Sequence, residues 1–329
     1  MRAIQAMRAG GPDVLELVDL PEPTPGPGEV VVKTVAAGIN FIDTYRRSGM
    51  YPMPFPHIPG SEGAGTVTAV GEDVTDLAVG DTVAWADCPG SYAEFVRVTA
   101  ARALKVPAGV DLDVAAAIPL QGLTAHYLAT STYPVQAGDT ILVHAGAGGV
   151  GLLLTQLATA RGARVITTVS SFEKEQLSRA AGAVEVIRYD LLKDLTAELP
   201  GIVGDLAGGG LPVVYDGVGR STFDASLACL RPRGLMVLFG ASSGAVPPFD
   251  LQRLNTGGSL YITRPSLGHY IATTEELRRR ADELFAAIAS HRLNVRIGNR
   301  FPLAEARAAH EALEGRATTG KVILEVGEV

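Results

Sequence analysis

Three glycines spaced as G-x-G-x-x-G suggest a site for phosphate groups. They belong to the stretch Ala145, Gly146, Ala147, Gly148, Gly149, Val150, Gly151. A strand-like run, residues 139–144, precedes this stretch, and a helix-like run, 152–161, and a β-rich run, 164–169, follow it. Glycines without β-carbons allow a tight turn, close approach of a pyrophosphate and close helix packing, and the helix N-terminus supplies N–H donors. This order predicts a dinucleotide site rather than a purely structural turn.

The residues after the second strand indicate which dinucleotide is bound. NAD-preferring folds carry an acidic residue about 20 residues past the glycines, where it holds the ribose 2′-hydroxyl. Here the strand is followed by Ser170 and Ser171, and Lys174 comes shortly after. A cation with hydroxyl donors suits a 2′-phosphate, so we expect NADPH. The alternative is that Lys174 is a solvated residue at a helix start.

A polar and aromatic group near the N-terminus offers a second place for chemistry. It contains Asn40, Asp43, Tyr45 and Tyr51. Asparagine and tyrosine side chains in a cleft donate hydrogen bonds to a carbonyl or quinone oxygen without bringing charge. The alternative interpretation is structural: Asp43 caps the next helix, and Tyr45 packs with its hydroxyl at the surface.

Metal and acyl-transfer chemistry find no support in the sequence. The six histidines, at positions 57, 126, 144, 269, 291 and 310, form no H-x-x-x-H pair, and Cys88 and Cys229 stand alone. We therefore expect no metal site. Ser61 lies in Gly-Ser-Glu-Gly, which is not the G-x-S-x-G pattern of a hydrolase nucleophile.

Charge and hydropathy limit the partners. The net charge of -7, without a dense Lys/Arg block, argues against a nucleic-acid surface. No apolar run reaches the roughly 18 residues of a membrane span, and the N-terminus lacks the apolar region of a signal peptide. We expect a cytoplasmic protein with no membrane partner.

The order of elements predicts an α/β fold in two domains. A chain of 329 residues exceeds the usual size of one core. The part before about Pro119 is rich in short strands and turns, which favours a β-barrel domain. A helix is predicted over residues 112–129. From residue 139, strands and helices alternate, which is typical of a doubly wound parallel sheet. Strand 258–263 is expected at its edge, and strand 321–326 is expected to return to the first domain.

Four separated segments resemble one known family. Residues 37–45, 121–127, 145–151 and 263–267 are similar to quinone oxidoreductases, the ζ-crystallin-like, zinc-free branch of the medium-chain dehydrogenase/reductase superfamily. The resemblance implies a GroES-like β-barrel domain with a Rossmann domain inserted before its last segment. The implied boundaries are 1–118 for the first part of the catalytic domain, 119–261 for the NADPH-binding domain and 262–329 for the return.

The resemblance also assigns roles to residues. Zinc enzymes of the superfamily have Cys where this chain has Asn40 and His where it has Ser61, so both ligands are missing. Further implied cofactor contacts are Asn40, Thr124, Phe239 and Gly240 at the nicotinamide end, and Ser170, Lys174, Tyr189 and Arg316 at the 2′-phosphate. Asn40, Tyr45 and Tyr51 would line the substrate cleft, with Asp43 in the same catalytic group.

The implied activity is metal-free reduction of quinones by NADPH, through hydride or electron transfer. Two alternatives stay open: an NADPH-dependent enone or enoyl reductase on the same fold, and an NADPH-binding structural or RNA-binding protein. Because relatives pair their sheet edges across a two-fold axis, we also expect a homodimer.

Overall fold

The computed structural model describes residues 1–327. The predicted last segment, 262–329, ends in two residues, 328 and 329, that lie outside the described ones. The strands are β1 (Arg2–Ala6), β2 (Leu15–Asp19), β3 (Glu29–Ile39), β4 (Glu62–Val70), β5 (Thr82–Ala86), β6 (Phe95–Thr99), β7 (Ala103–Lys105), β8 (Thr140–Val143), β9 (Arg164–Val169), β10 (Glu185–Arg188), β11 (Leu211–Asp216), β12 (Leu230–Leu238), β13 (Tyr261–Thr263), β14 (Ile297–Pro302) and β15 (Lys321–Glu325).

The helices complete the list of elements. They are α1 (Phe41–Arg47), α2 (Leu112–Ala117), α3 (Pro119–Tyr127), α4 (Gly149–Thr159), α5 (Phe172–Ala180), α6 (Leu195–Ala207), α7 (Phe223–Ala228), α8 (Gln252–Thr256), α9 (Leu267–Tyr270), α10 (Thr274–Ala289) and α11 (Ala306–Glu314). The chain divides into two compact units, residues 1–123 with the residues from 270 onward, and residues 124–269. The boundaries after residues 118 and 261 stay a proposal for the domain limits.

The first unit is built on a long central strand. β3 pairs antiparallel with β4, β6 and β15, and the order of the seven-stranded sheet is β14-β15-β3-β4-β5-β7, with β6 attached to β3. β1 and β2 form a separate antiparallel pair. Trp85, the single tryptophan of the chain, is fully buried in this unit, and its indole nitrogen donates to Ser91 Oγ at 2.9 Å. Burial of a large aromatic ring with its N–H satisfied is typical of a well-packed core.

The second unit is a parallel six-stranded sheet. Its order is β10-β9-β8-β11-β12-β13, and every pairing is parallel. Leu142, Ile166, Val214 and Met236 come from four neighbouring strands and share one buried cluster. The order reverses between β8 and β11. In open α/β sheets ligands bind at the carboxyl ends of the strands beside such a reversal.

The predicted fold class is confirmed, with local corrections. The helix predicted over 112–129 is two helices, because Pro119 has no N–H to continue the first one. The helix predicted over 191–199 begins later, at Leu195, where Asp194 Oδ1 accepts from the backbone N–H groups of Thr196 and Ala197. No helix of residues 1–327 is both long and apolar enough to cross a membrane.

Candidate active site

The glycine-rich turn joins β8 to α4 as the sequence predicts, but the helix begins earlier than predicted. Gly148 is its N-cap, so Gly149, Val150 and Gly151 are already helical. The first backbone bond back to this cap is from Leu152 N–H to Gly148 C=O, at 2.9 Å. The N–H groups of the three preceding residues therefore form the helix N-terminus, which is suited to phosphate oxygens.

Two of the three motif glycines are required by packing within the unit itself. A Cβ on Gly146 would lie 2.5 Å from the Thr167 Cβ on β9, and one on Gly151 would collide with the Ala145 carbonyl oxygen. A Cβ on Gly148 would be 3.2 Å from the same carbonyl oxygen. A Cβ at Gly148 would therefore meet less crowding within the protein than one at Gly146 or Gly151, and Gly148 lies at the N-terminus of α4. Ala147, between the glycines, is buried.

A cation and two hydroxyls lie at the carboxyl end of β9. Ser171 caps α5 by accepting from Lys174 N–H, and Lys174 Nζ donates to Ser170 Oγ at 3.3 Å. Arg188 forms a bidentate ion pair with Asp190, at 2.7 and 2.6 Å, so that carboxylate is already neutralised. Tyr189, half-buried, lies between these two residues in the turn after β10. This group fits the 2′-phosphate of NADPH better than a bare ribose hydroxyl.

A buried aspartate that the sequence reasoning missed holds Phe239 and Gly240, which are expected at the nicotinamide end. Asp216 ends β11 and accepts from Thr222 Oγ1 and Ser226 Oγ, both at 2.7 Å, and from two backbone N–H groups. Its carbonyl accepts from Phe239 N–H at 2.9 Å, and Gly240 packs against the same turn so closely that a Cβ would collide with the Gly217 carbonyl. Thr124, on α3, is almost fully buried.

His144 lies in the same buried network. Its Nδ1 is 2.8 Å from Thr168 Oγ1, and its Nε2 is 3.0 Å from Ser226 Oγ. Burial lowers the pKa of this histidine, and the nearby Asp216 opposes that shift. Both ring nitrogens have partners, so His144 is a satisfied structural histidine, as its isolation in the sequence indicates.

Asn40 is fixed in the first unit by three polar neighbours. Its Nδ2 donates to Glu62 Oε1 at 2.6 Å, and its Oδ1 accepts from Lys321 Nζ at 2.9 Å and from Gln121 Nε2 at 3.0 Å. Because Lys321 can only donate, the amide cannot be flipped. One of the two Nδ2 hydrogens remains available for a ligand.

Glu62 and Lys321 form an ion pair that is removed from water. Their side chains are 0% and 1% exposed, and Lys321 Nζ donates to Glu62 Oε1. The second oxygen of Glu62 accepts from Leu120 N–H in the first turn of α3, at 2.6 Å. Burial lowers the pKa of Lys321, and the Glu62 carboxylate opposes that shift.

Asp43 faces the interior of the first unit. Its Oδ2 accepts from Asn40 N–H at 2.8 Å and from Tyr92 Oη at 3.1 Å, and its Oδ1 accepts from Ser61 Oγ at 3.2 Å. The first of these bonds is the helix cap of the structural interpretation. Burial raises the pKa of Asp43 to about 6, while the bond from Asn40 and the charge of Arg46 lower it.

A directed hydrogen-bond chain leads to Asp43 from Arg47, the last residue of α1, through His310 on α11. Arg47 Nη1 is 2.9 Å from His310 Nδ1, and a guanidinium can only donate, so the hydrogen of the neutral ring is on Nε2. His310 Nε2 then donates to Tyr92 Oη at 3.1 Å, and Tyr92 donates to Asp43. Burial, with the charge of Arg47, lowers the pKa of His310 to about 3, so the ring stays neutral.

The two candidate tyrosines are brought together beside α1. The ring centroids of Tyr45 and Tyr51 are 5.4 Å apart in an edge-to-face arrangement, and Tyr51 N–H donates to the Tyr45 carbonyl. Tyr45 is buried, whereas Tyr51 is 38% exposed. The structure thus collects Asn40, Asp43 and both tyrosines in one unit. Arg316, exposed in the turn after α11, belongs to that unit and not to the one that holds Lys174.

Comparisons with known proteins show the family of this chain. Two family models match, "Alcohol dehydrogenase GroES-like domain" over residues 26–108 and "Zinc-binding dehydrogenase" over 149–285. A quinone oxidoreductase of Pseudomonas aeruginosa is 48% identical over 325 residues, covering 98% of this chain and 99% of the relative. The chain belongs to the quinone oxidoreductase family. The membership expected from the four segments is therefore confirmed.

Solved structures of quinone oxidoreductase relatives give the same result. A mycobacterial protein complexed with NADPH is 55% identical, with a TM-score of 0.96 and coverage of 99% of this chain and 100% of the other. The Escherichia coli quinone oxidoreductase complexed with NADPH is 44% identical, with the same TM-score and coverage.

The zinc in the name of one family model does not fit these residues. The positions of the implied zinc ligands hold Asn40 and Ser61, whose amide and hydroxyl are poor zinc ligands. Ser61 Oγ instead accepts from Arg46 Nη1 at 2.6 Å and donates to Asp43. Within residues 1–327, no group of three or more His, Cys, Asp or Glu side chains is placed to hold a metal ion.

We predict that Lys321→Met lowers the free energy of unfolding of the first unit by about 3–5 kcal/mol, because it leaves the Glu62 charge buried and unpaired. Urea denaturation followed by Trp85 fluorescence measures this, since Trp85 lies in the same unit. Glu62→Gln combined with Lys321→Met is expected to cost less than the sum of the single changes. Additive losses would show that the two charges do not act as a pair.

Proposed function

We propose that this chain reduces quinones with NADPH and without a metal. The observation that carries the proposal is the Lys174 amine, which donates to Ser170 Oγ at the end of β9. Family membership and the NADPH named for two solved relatives support it. When bound, NADPH supplies the hydrogen and electron pair that reduce the quinone, and a solvent proton completes the hydroquinone.

The second unit would hold the cofactor by its pyrophosphate and its 2′-phosphate. The N–H groups of Gly149, Val150 and Gly151 would bind the pyrophosphate. Ser170, Lys174 and Tyr189 would hold the 2′-phosphate, and Arg316 is proposed as a further phosphate contact. Phe239 and Gly240, fixed by Asp216, would orient the nicotinamide end together with Thr124 and Asn40.

The first unit would hold the acceptor. The remaining Nδ2 hydrogen of Asn40 and a tyrosine hydroxyl are neutral donors for a quinone oxygen. Tyr51, partly exposed and braced by Tyr45, offers an aromatic edge for a flat ring. Quinones accept electrons readily, so orientation is the main demand on the protein. Asp43, enclosed by donors, would act by fixing Asn40 and Ser61 and not by touching the quinone.

A comparison of acceptors tests the proposed activity. NADPH oxidation is measured with a small panel of benzoquinones and naphthoquinones and with a matched panel of enones. We expect kcat/KM to be at least about 10-fold higher for the quinones, because the site offers neutral donors and no strong acid to protonate a carbanion. A higher value for the enones would make the chain an enone reductase.

The cofactor preference is tested at Lys174. Lys174→Ala is expected to raise the KM for NADPH about 10-fold and to leave the KM for NADH nearly unchanged, because a charge-assisted contact to the 2′-phosphate is lost. Lys193→Ala, an exposed lysine of the same unit, is the matched control. An unchanged preference in Lys174→Ala would reject the assignment.

We propose that two copies associate through the edge of the parallel sheet. β13 is an end strand of the six-stranded order, and Tyr261 on it is 59% exposed. An uncovered edge with apolar side chains favours pairing. Light scattering at micromolar concentration is expected to give the mass of a dimer, and a monomer would reject this proposal. The cytoplasmic location and the absence of nucleic-acid and membrane partners stay predictions.

A further inference from the structure

Two successive arginines at the end of α1 have opposite surroundings. Arg47 is buried, and its guanidinium is occupied by the Gly10 carbonyl, His310 and Glu314. Arg46 is half-buried and makes one side-chain hydrogen bond, from Nη1 to Ser61 Oγ at 2.6 Å. Within the part of the chain that the structure describes, no carboxylate forms an ion pair with Arg46. Four of its five N–H donors thus have no hydrogen-bond partner among the described residues.

The remaining charges near Asn40 are balanced by the protein. Lys321 is paired with Glu62, and Arg47 is paired with Glu314 at 2.8 Å. Asp43 is surrounded by three donors, and Ser61 separates it from Arg46. Arg46 is therefore the half-buried cation of this cluster, and no carboxylate of the described residues forms an ion pair with it.

This charge suits an acceptor that becomes negative. A quinone oxygen gains negative charge as the quinone takes up a hydride, before one solvent proton completes the hydroquinone. Hydrogen bonds from a charged donor strengthen as that charge develops, whereas the neutral Asn40 amide gains less. Helix α1, which carries Arg46, also carries Tyr45, whose ring packs edge-to-face against that of the partly exposed Tyr51.

We propose that Arg46 is a catalytic residue that donates from its guanidinium to the developing oxyanion of the quinone, with Ser61 as the positioning residue that holds it. This inference rests on the proposed quinone reductase function and deepens it. It also predicts that the site binds phenolate anions, which resemble the hydroquinone monoanion in shape and charge.

A phenolate probe tests Arg46 without NADPH and without turnover. The full chain is titrated with 4-nitrophenol, and the absorbance of the bound phenolate is followed against pH. We expect the wild type to bind the phenolate at least about 10-fold more tightly than the phenol. Arg46→Gln should abolish this preference, and Arg46→Lys, which keeps the charge, should retain part of it. Equal preference in wild type and Arg46→Gln, or no binding of either form by the wild type, would overturn the proposal.

Steady-state kinetics give the second measurement. Arg46→Gln is expected to lower kcat with a quinone about 10- to 100-fold, with the KM for NADPH within about 2-fold, and Arg46→Lys to lose less. Arg307→Gln removes an exposed arginine of α11 and is the matched control. If the wild type reduces no quinone, the proposed function fails, and the phenolate titration still tests whether Arg46 binds an oxyanion. If the wild type is active and Arg46→Gln equals it, the Arg46 proposal fails alone.

Discussion

A single carboxylate, that of Glu62, fixes the relative positions of four elements in the first unit. It lies on β4 and accepts from Lys321 on β15, from the Asn40 side chain before α1 and from Leu120 N–H at the start of α3. Removing two charges from water is costly, and the interaction recovers that cost only when the remaining lone pairs and protons find partners. The geometry of Asn40 follows from this requirement, because its two polar atoms complete the pair. The Asn40 side chain is therefore held by the buried ion pair, while its backbone N–H is held by Asp43.

A second hydrogen-bond network supports α1, the helix that follows Asn40. Within this network, the pKa of His310 is lowered to about 3 and that of Asp43 is raised to about 6. His310 is neutral because Arg47 occupies its Nδ1, and the direction of the remaining bonds follows from that choice. This chain of hydrogen bonds ends at Asp43, whose three donors offset part of the cost of burying its carboxylate. Such an arrangement fixes α1, which begins after Asn40 and carries Arg46. This is suited to acceptors that need orientation more than protonation.

In the second unit, too, a buried carboxylate fixes a turn through its hydrogen bonds. Asp216 uses both oxygens within the protein, so the turn that holds Phe239 is fixed without any exposed charge. The helix N-terminus at Gly149 and the Lys174 amine, which donates to Ser170 Oγ, both follow strands at the carboxyl edge of the sheet.

The sequence by itself determined the local chemistry. The glycine spacing at 146–151, the serines and lysine after β9 and the alternation of strands and helices gave the fold class and the expected NADPH, because such features depend on residues close in the chain. Family resemblance added the substrate class. The tertiary structure alone decided which distant side chains pair. Glu62 and Lys321, which form an ion pair, are 259 positions apart, and Arg47 and His310, which form a hydrogen bond, are 263 apart. No periodicity relates such positions, since their pairing depends on how β15 and α11 return to the first unit. The tertiary structure also distinguishes two adjacent arginines, because it buries Arg47 and leaves Arg46 half-buried.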